Sequence, residues 1–585
     1  MLCESFSPRS SGSLGSPRSS STLERKKLHA LSEIETILIL LAAVAALTTL
    51  AGRIRVPYPI LLVLGGLILG FVSELVPGLP RVVLDPKVVF LLFLPPLLYV
   101  SALFTSWRDF RANLRPISLL AVGLVLVTTC AVAAAAHWAV GLPWAAAFVL
   151  GAIVSPTDAI AATAIAQRLG VPRRIVTILE GESLVNDATG IVVFRIGVAA
   201  VVTGAFSLWE AGLQFVVSAA GGIGVGLAVG WLVIWSRRHV SEEPNVQNII
   251  SLLTPFAAYL PAEELPPYLW HDLLQLPGGL HLSGVLSVVA AGLYLGRRGP
   301  SVISPETRLQ GYAFWELVTF LLNGLIFSFI GLQLGGIVER LSGYSATDLV
   351  LYAGLISLTV ILVRFVWVFP AAYVPRWVIP SVRERDPSPS PREVTITAWT
   401  GMRGVISLAA ALSLPLTIEG GAPFPERDLI LFLTFSVILA TLVVQGLSLP
   451  PLIRTLGLED DGGQEREEII GRIKVAEAAL ARLEELAEED WVREDAAERM
   501  RGIYNYRRSR FSSRFDGSDD GSFEERSAAY QHLMRELLRA QHMTVIELRD
   551  EGKIGDDAMH RIERDLDLEE SRLEVPSPPR LPSSP

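Results

Sequence analysis

The sequence predicts an all-α polytopic membrane protein of about thirteen spans, arranged as inverted repeats of six helices with crossed broken helices, plus a soluble helical tail. Three observations carry this prediction. Apolar residues of the set AVILMFWYC make up 51% of the 585-residue chain and charged residues only 19%, against roughly 25% charged in soluble domains. The charge is segregated: residues 459–585 hold 32 acids and 20 bases, which leaves 27 acids and 30 bases for residues 1–458. Positive charge also alternates along the apolar body, as set out below.

Runs near the bilayer-crossing length of about 20 apolar residues fall at Ile34–Ala51, Tyr58–Val76, Val88–Phe104, Pro116–Val140, Trp144–Ala166, Ile175–Val202 and Leu208–Trp235. They continue at Val246–Leu260, Leu282–Leu295, Ala313–Val338, Ala346–Tyr373, Val394–Leu416 and Leu429–Ile453. The eighth and ninth are short, so twelve spans are the alternative. Lys and Arg stay on the cytoplasmic side. Connections after odd-numbered spans from the third onward carry fifteen arginines, from Arg108, Arg111 and Arg115 to Arg376, Arg383, Arg385 and Arg392; the even ones offer only Arg340 and Arg427. Odd connections and the C-terminal tail are therefore expected in the cytoplasm. Thirteen spans then put the N-terminus outside, against the charges Arg25, Lys26 and Lys27.

The domain reading is a disordered N-terminal tail over 1–30, a transmembrane domain over 31–455 and a cytoplasmic helical tail over 456–585. Ser, Pro and Arg dominate the first segment. In the last, Ile469, Ile473, Ala476, Leu480, Leu483 and Leu486 recur at helical spacing, with helices expected over 463–500 and 523–572 around a linker Ser509–Ser522. The tail reads either as a solvated hairpin aiding assembly or as a regulatory domain. Two cysteines, Cys3 and Cys130, exclude a disulfide framework. No GxxxxGK[ST] and no HExxH occurs, so neither a P-loop ATPase nor a zincin is supported. No cofactor and no nucleic acid is expected; a gradient supplies the energy for any transport.

Carboxylates in hydrocarbon cost a few kcal/mol each and need partners or a task. Asp158, Glu182 and Asp187 stand deep within spans. In the sixth span, Ser183 and Asp187 share a face, with Glu182 and Asn186 on the adjacent one. Such an oxygen-rich cluster suits a hard cation; the plainer reading is a polar network joining helices. In the fifth span Pro156 should break the helix beside Thr157, whose hydroxyl and carbonyl can coordinate a cation, and Asp158, which suits a half-helix N-terminus. In the twelfth span Gly401 and Gly404 flank Arg403, which can offset half-helix C-terminal ends or pair with Glu182. Interrupted helices at the fifth position of each half fit inverted repeats meeting at the midplane. Arg364 either pairs with a core acid or snorkels to a surface. Gly222, Gly226 and Gly230 read as a packing seam.

The runs Phe93-Leu-Pro-Pro-Leu-Leu-Tyr99, Ser155-Pro-Thr-Asp158, Gly181-Glu-Ser-Leu-Val-Asn-Asp187 and Gly401-Met-Arg-Gly404, in this order, resemble the monovalent cation:proton antiporter-1 family of sodium/proton exchangers. The resemblance covers roughly residues 30–455, and the tail is similar to the helical extension of many bacterial members. It implies the sodium/proton antiporter fold: an inverted-repeat core moving against a dimerisation domain, in a homodimer. It implies Asp187 as carrier of proton and cation beside Asn186, with Ser183, Thr157 and Asp158 completing the ion site. Transported Na+ would then lie on Asp187, Ser183 and Thr157. Glu182 and Arg403 match a structural ion pair. Val100 and Ser101 follow Tyr99 where many relatives carry a carboxylate.

The expectation is thus a secondary transporter, not an enzyme. It exchanges Na+, or also Li+, for protons by alternating access around Asp187 and so supports pH and sodium homeostasis at the plasma membrane. With Asn186 rather than a second acid beside Asp187, exchange should be electroneutral, one for one. A K+/H+ or other monovalent cation/proton antiporter on the same fold is the alternative. A cation channel and an intramembrane aspartyl protease are more remote.

Overall fold

The computed structural model describes residues 38–54, 56–75, 86–240, 243–267, 281–334, 337, 339–341, 343–386, 388–458, 462–516 and 522–573. The expected N-terminal tail lies outside them. The chain divides into two compact units, 1–459 and 460–585.

In the first unit, Leu38–Ile54 (α1), Tyr58–Leu75 (α2) and Pro86–Phe104 (α3) lead through the short helix Trp107–Ala112 (α4) to Leu114–Val140 (α5). Trp144–Val154 (α6) and Ile160–Arg168 (α7) follow, then Arg173–Thr203 (α8), Leu208–His239 (α9), Pro244–Pro267 (α10), Gly284–Arg298 (α11) and Pro305–Leu332 (α12). The unit continues with Ala346–Val378 (α13), Pro380–Arg385 (α14), Pro391–Trp399 (α15), Val405–Leu412 (α16) and Arg427–Leu456 (α17). Seven of these helices are long and apolar enough to cross a membrane, and α1, α2 and α6 are shorter apolar helices. Apolar residues such as Val350, Leu358, Leu362 and Val366 of α13 and Trp231 of α9 are exposed, the pattern of helices solvated by lipid rather than water.

The helices sort into two packed groups. One joins α2 to α12, and α11 to α3, α9 and α10. The other joins α5, α6 and α8 to one another, and α13 to α5, α15 and α17. This second group takes an unbroken, a broken and an unbroken helix from each half of the chain, the arrangement that two repeats meeting through their interruptions require. The glycine seam of α9 is also present. A Cβ at Gly222 would run into the backbone carbonyl of Ser283, which caps α11, one at Gly226 into that of Ser287 on α11, and one at Gly230 would meet the Tyr294 ring.

Among the described residues the second unit holds four helices: Gly463–Ala487 (α18), Glu494–Asp516 (α19), Ser522–Asp550 (α20) and Asp556–Leu573 (α21). The expected linker Ser509–Ser522 is corrected here, because residues 509–516 are helical. The Arg472 guanidinium lies 5.1 Å from the centre of the Phe511 ring, a cation–π contact that docks the end of α19 on α18. Residues 517–521 of that linker lie outside the described residues. Leu538, Val545, Met559 and Leu566 form a small core between α20 and α21.

Candidate ion site at the helix breaks

Pro156 cannot donate to a helical ladder, and α6 stops at Val154 two residues before it. Residues 156–159 lie outside any helix, and α7 begins at Ile160 with the Thr163 N–H donating back to the Ala159 carbonyl at 2.7 Å. In the second half, α15 ends at Trp399 and α16 begins at Val405, leaving Thr400–Gly404 as the matching break. The two breaks touch: the Asp158 N–H donates to the Met402 carbonyl at 2.8 Å. A Cβ on Gly404 would occupy the space of the Asp158 carboxylate, so the close approach depends on glycine there.

Four half-helix ends meet at this point, and each exposes unpaired backbone groups. Acids and bases are distributed among them as the helix dipole favours. The Asp158 carboxylate accepts from the Ile160 N–H at 2.9 Å, at the N-terminal end of α7, and lies against Gly404 at the start of α16. At the C-terminal ends stand the two buried arginines. Arg403 donates through Nε to the Val154 carbonyl at 2.9 Å and through Nη1 to the Gly401 carbonyl. Arg364 donates through Nε to the Thr397 carbonyl at 3.1 Å. The Arg403 N–H finds the Thr441 hydroxyl at 3.1 Å, supplied by a π-helical turn of α17 over Thr441–Gln445.

The expected pairing of Glu182 with Arg403 is corrected by this geometry. Glu182, 1% exposed, takes a two-pronged ion pair from Arg364, through Nη1 and through Nη2, the latter at 2.8 Å. Arg403 instead meets backbone carbonyls through Nε and Nη1, and its buried Nη2 has no hydrogen-bond partner among the described residues. Its long side chain leaves the second break and closes the end of α6, whereas Arg364 descends from α13 with its planar fork on the carboxylate, the arrangement guanidinium suits best. Of the two readings of Arg364, pairing with a core acid is the one observed.

The network continues through Thr157, whose hydroxyl donates to Glu182 Oε1 at 3.0 Å and accepts from Asn186 Nδ2 at 2.8 Å. Asn186 also reaches the Thr157 carbonyl at 3.3 Å. Thr157 and Asn186 thus tie the first break to α8. Both oxygens of Thr157 that were expected to face a cation are engaged with protein. Ser183 accepts from the Ala159 N–H at 3.4 Å. Asp187, one turn beyond Ser183 on α8, is 6% exposed and receives no hydrogen bond from any described residue. The structure therefore brings Thr157, Asp158, Glu182, Ser183, Asn186, Asp187, Arg364 and Arg403 around one crossing, with the Asp187 carboxylate receiving no hydrogen bond from the described residues. Sequence reasoning missed Thr441 and the fit of Gly404 on Asp158; a hydroxyl within an apolar run gives no signal of its own.

Residues 39–455 match the family model described as sodium/hydrogen exchanger, transmembrane. The chain is 38% identical over 550 residues to an uncharacterised Na+/H+ exchanger of Mycobacterium tuberculosis, covering 92% of this chain and 96% of the relative. It is 35% identical to a sodium, potassium, lithium and rubidium/H+ antiporter of Bacillus pumilus, over 71% of this chain and 60% of that one. It is 32% identical to a Na+/H+ antiporter of Aphanothece halophytica, over 77% and 80%. Among solved structures, the sodium proton antiporter of Methanocaldococcus jannaschii superposes with a TM-score of 0.56 at 20% identity, covering 72% of this chain and 98% of that one.

Proposed function

The chain belongs to the sodium/hydrogen exchanger family, and from that premise we propose that it exchanges one monovalent cation, Na+ first, for one proton across the plasma membrane. It is a membrane antiporter, not an enzyme. Alternating access turns on Asp187, with Ser183 and Asp158 beside it, while Asn186 and Thr157 organise the break and Glu182 with Arg364 holds it together. A homodimer with its tail in the cytoplasm is the working unit, serving pH and sodium homeostasis.

The observation that carries this reading is the charge count at the crossing. Arg364 and Arg403 contribute two positive charges; Glu182, Asp158 and Asp187 contribute three negative ones. The sum is −1. A net charge is costly to move through low dielectric, so the empty site resists translocation. One proton or one monovalent cation on Asp187 brings the sum to zero, and the loaded core can cross. A divalent cation would leave +1. The same count makes the cycle electroneutral, since either cargo crosses as a neutral set.

The test uses purified protein in proteoliposomes with an internal pH dye. The wild type should exchange alkali cation for protons at a rate that an imposed membrane potential does not change. Asp187→Asn should be folded and monodisperse with flux at background. Voltage-dependent exchange, or near-normal flux in Asp187→Asn, removes the reading. A broader cation range is the second reading, favoured by Val100 and Ser101 standing where an auxiliary acid was expected and by the four alkali metals in the Bacillus relative's name. Adding each alkali chloride in turn separates the two.

A further inference from the structure

A second polar region lies away from the crossing, at an end of the helices whose connections are rich in arginine. The end of α3, one face of α4, the end of α11 and Tyr312 of α12 enclose an open cavity of about 880 Å3. Three arginines line it, Arg108, Arg111 and Arg297, and among the described residues no carboxylate does. The nearest acid on α4, Asp109, is drawn away to Arg173 of α8 at 2.8 Å. Among the described residues no carboxylate pairs with Arg111 or Arg297. For a vestibule meant to admit alkali cations this lining has the wrong sign.

A recess continues from the same wall, sharing Leu103, Phe104, Gly296 and Tyr312 with the cavity. It is lined by Arg237 and Arg308 and, among the described residues, again by no carboxylate. Arg237 is 8% exposed, and its Nε is buried with no hydrogen-bond acceptor among the described residues. A buried guanidinium N–H without an acceptor is costly and marks a place where an anionic oxygen would be gained. The walls are preformed. Phe104 stacks on Tyr312 at 5.3 Å, and Phe110 on the opposite side of α4 packs where Gly181 of α8 lacks a side chain, which anchors the short helix.

We propose that this arginine-lined cavity is a binding site for a phosphate-bearing anion, either the headgroup of an anionic lipid or a soluble phosphate compound. Guanidinium forks match phosphate oxygens in pairs. Basic pockets between membrane helices at the cytoplasmic side take lipid headgroups on the same chemistry, and the size is that of a small-molecule site. The site is separate from the ion crossing, so its occupancy can be read without measuring transport.

The experiment follows thermal unfolding of the full-length protein. One arm compares nanodiscs of phosphatidylcholine with nanodiscs that also contain phosphatidylglycerol; the other adds inorganic phosphate or pyrophosphate to protein in phosphatidylcholine alone. The wild type should be stabilised in at least one arm, the first identifying a lipid headgroup and the second a soluble anion. Arg111→Glu/Arg297→Glu should bind about tenfold more weakly or not at all, while Arg383→Glu, an exposed charge elsewhere, should respond like the wild type. No stabilisation in either arm, or equal stabilisation of the double variant, overturns the proposal. Should the double variant fail to fold, hydrogen exchange on the wild type decides. The effective probe should slow exchange over residues 107–112 and 296–299; unchanged exchange there overturns it.

Discussion

Glu182 receives three donors at once, two nitrogens of Arg364 and the hydroxyl of Thr157. With Glu182 1% and Arg364 0% exposed, neither charge has water to fall back on. Removing one partner of a buried pair costs about 3–5 kcal/mol, because the other is stranded. Glu182→Gln and Arg364→Met should each lower stability by that order. Their combination should recover part of the loss, and Arg403→Met should leave the pair's coupling intact. A thermal or denaturant double-mutant cycle checks this; stronger coupling of Glu182 to Arg403 than to Arg364 would refute the pairing. The sequence showed a carboxylate needing a base and two arginines in apolar runs able to serve. Choosing between them needed the path of each side chain, which depends on where α13 lies against the breaks. Asp187 stood out in the sequence because the Asn186-Asp187 pair stands among other oxygens at helical spacing. That no described residue donates a hydrogen bond to its carboxylate was not legible.

At the scale of elements, the two interruptions were readable from Pro156 and from the glycines around Arg403, since both disturb a helical ladder for local reasons. What stabilises the ends was not, because capping groups come from other helices. The connection after α13 shows the same limit. Asp386 accepts from Arg174 at 2.6 Å and Arg376 at 2.9 Å and pairs with Arg115, tying together the ends of α5, α8 and α13. An acid in a charged connection reads as solvated, and nothing in the sequence marks it as a junction. Partial burial pushes the Asp386 carboxyl upward, but the hydrogen bonds and charges of Arg174 and Arg376 outweigh it and hold the group below the ordinary aspartate range. A depressed value means that its stabilisation is fully present above the unfolded aspartate value of about 3.9. That stabilisation is lost as pH falls through the lower folded value. Thermal midpoints should therefore show a larger acid-side decline in the wild type than in Asp386→Asn, with the two curves converging at the acid end. Parallel curves would remove the junction from the account. In the second unit, the misjudged linker has a plain cause: Ser and Arg near residue 510 look solvated until Phe511 meets Arg472.

Over the whole molecule, the apolar composition and the alternation of arginines were enough to indicate a multi-span body with a separate tail. The sorting of helices into two groups was not available from the sequence, since it depends on contacts between remote spans. One charged link between those groups was missed altogether. Arg195 of α8 meets Glu263 of α10 at 2.6 Å, and Glu263 also accepts from the Gly284 N–H at 3.2 Å, at the first residue of α11. Glu263 thus belongs with α10 and α11, while Arg195 rides on the helix that carries Asp187. Glu263 is mostly shielded and Arg195 partly open to solvent, so the attraction is sensitive to dissolved ions. If exchange requires α8 to shear past α10, opposite charges must part on every cycle. Turnover in proteoliposomes should quicken as an inert salt is added on both sides, and Arg195→Gln should start faster and ignore the salt. A wild type indifferent to salt would show that this contact is not strained during turnover. Turnover that quickens with salt would instead mark the link as an ionic brake, setting the pace of a carrier whose specificity is decided elsewhere and letting salinity itself release it.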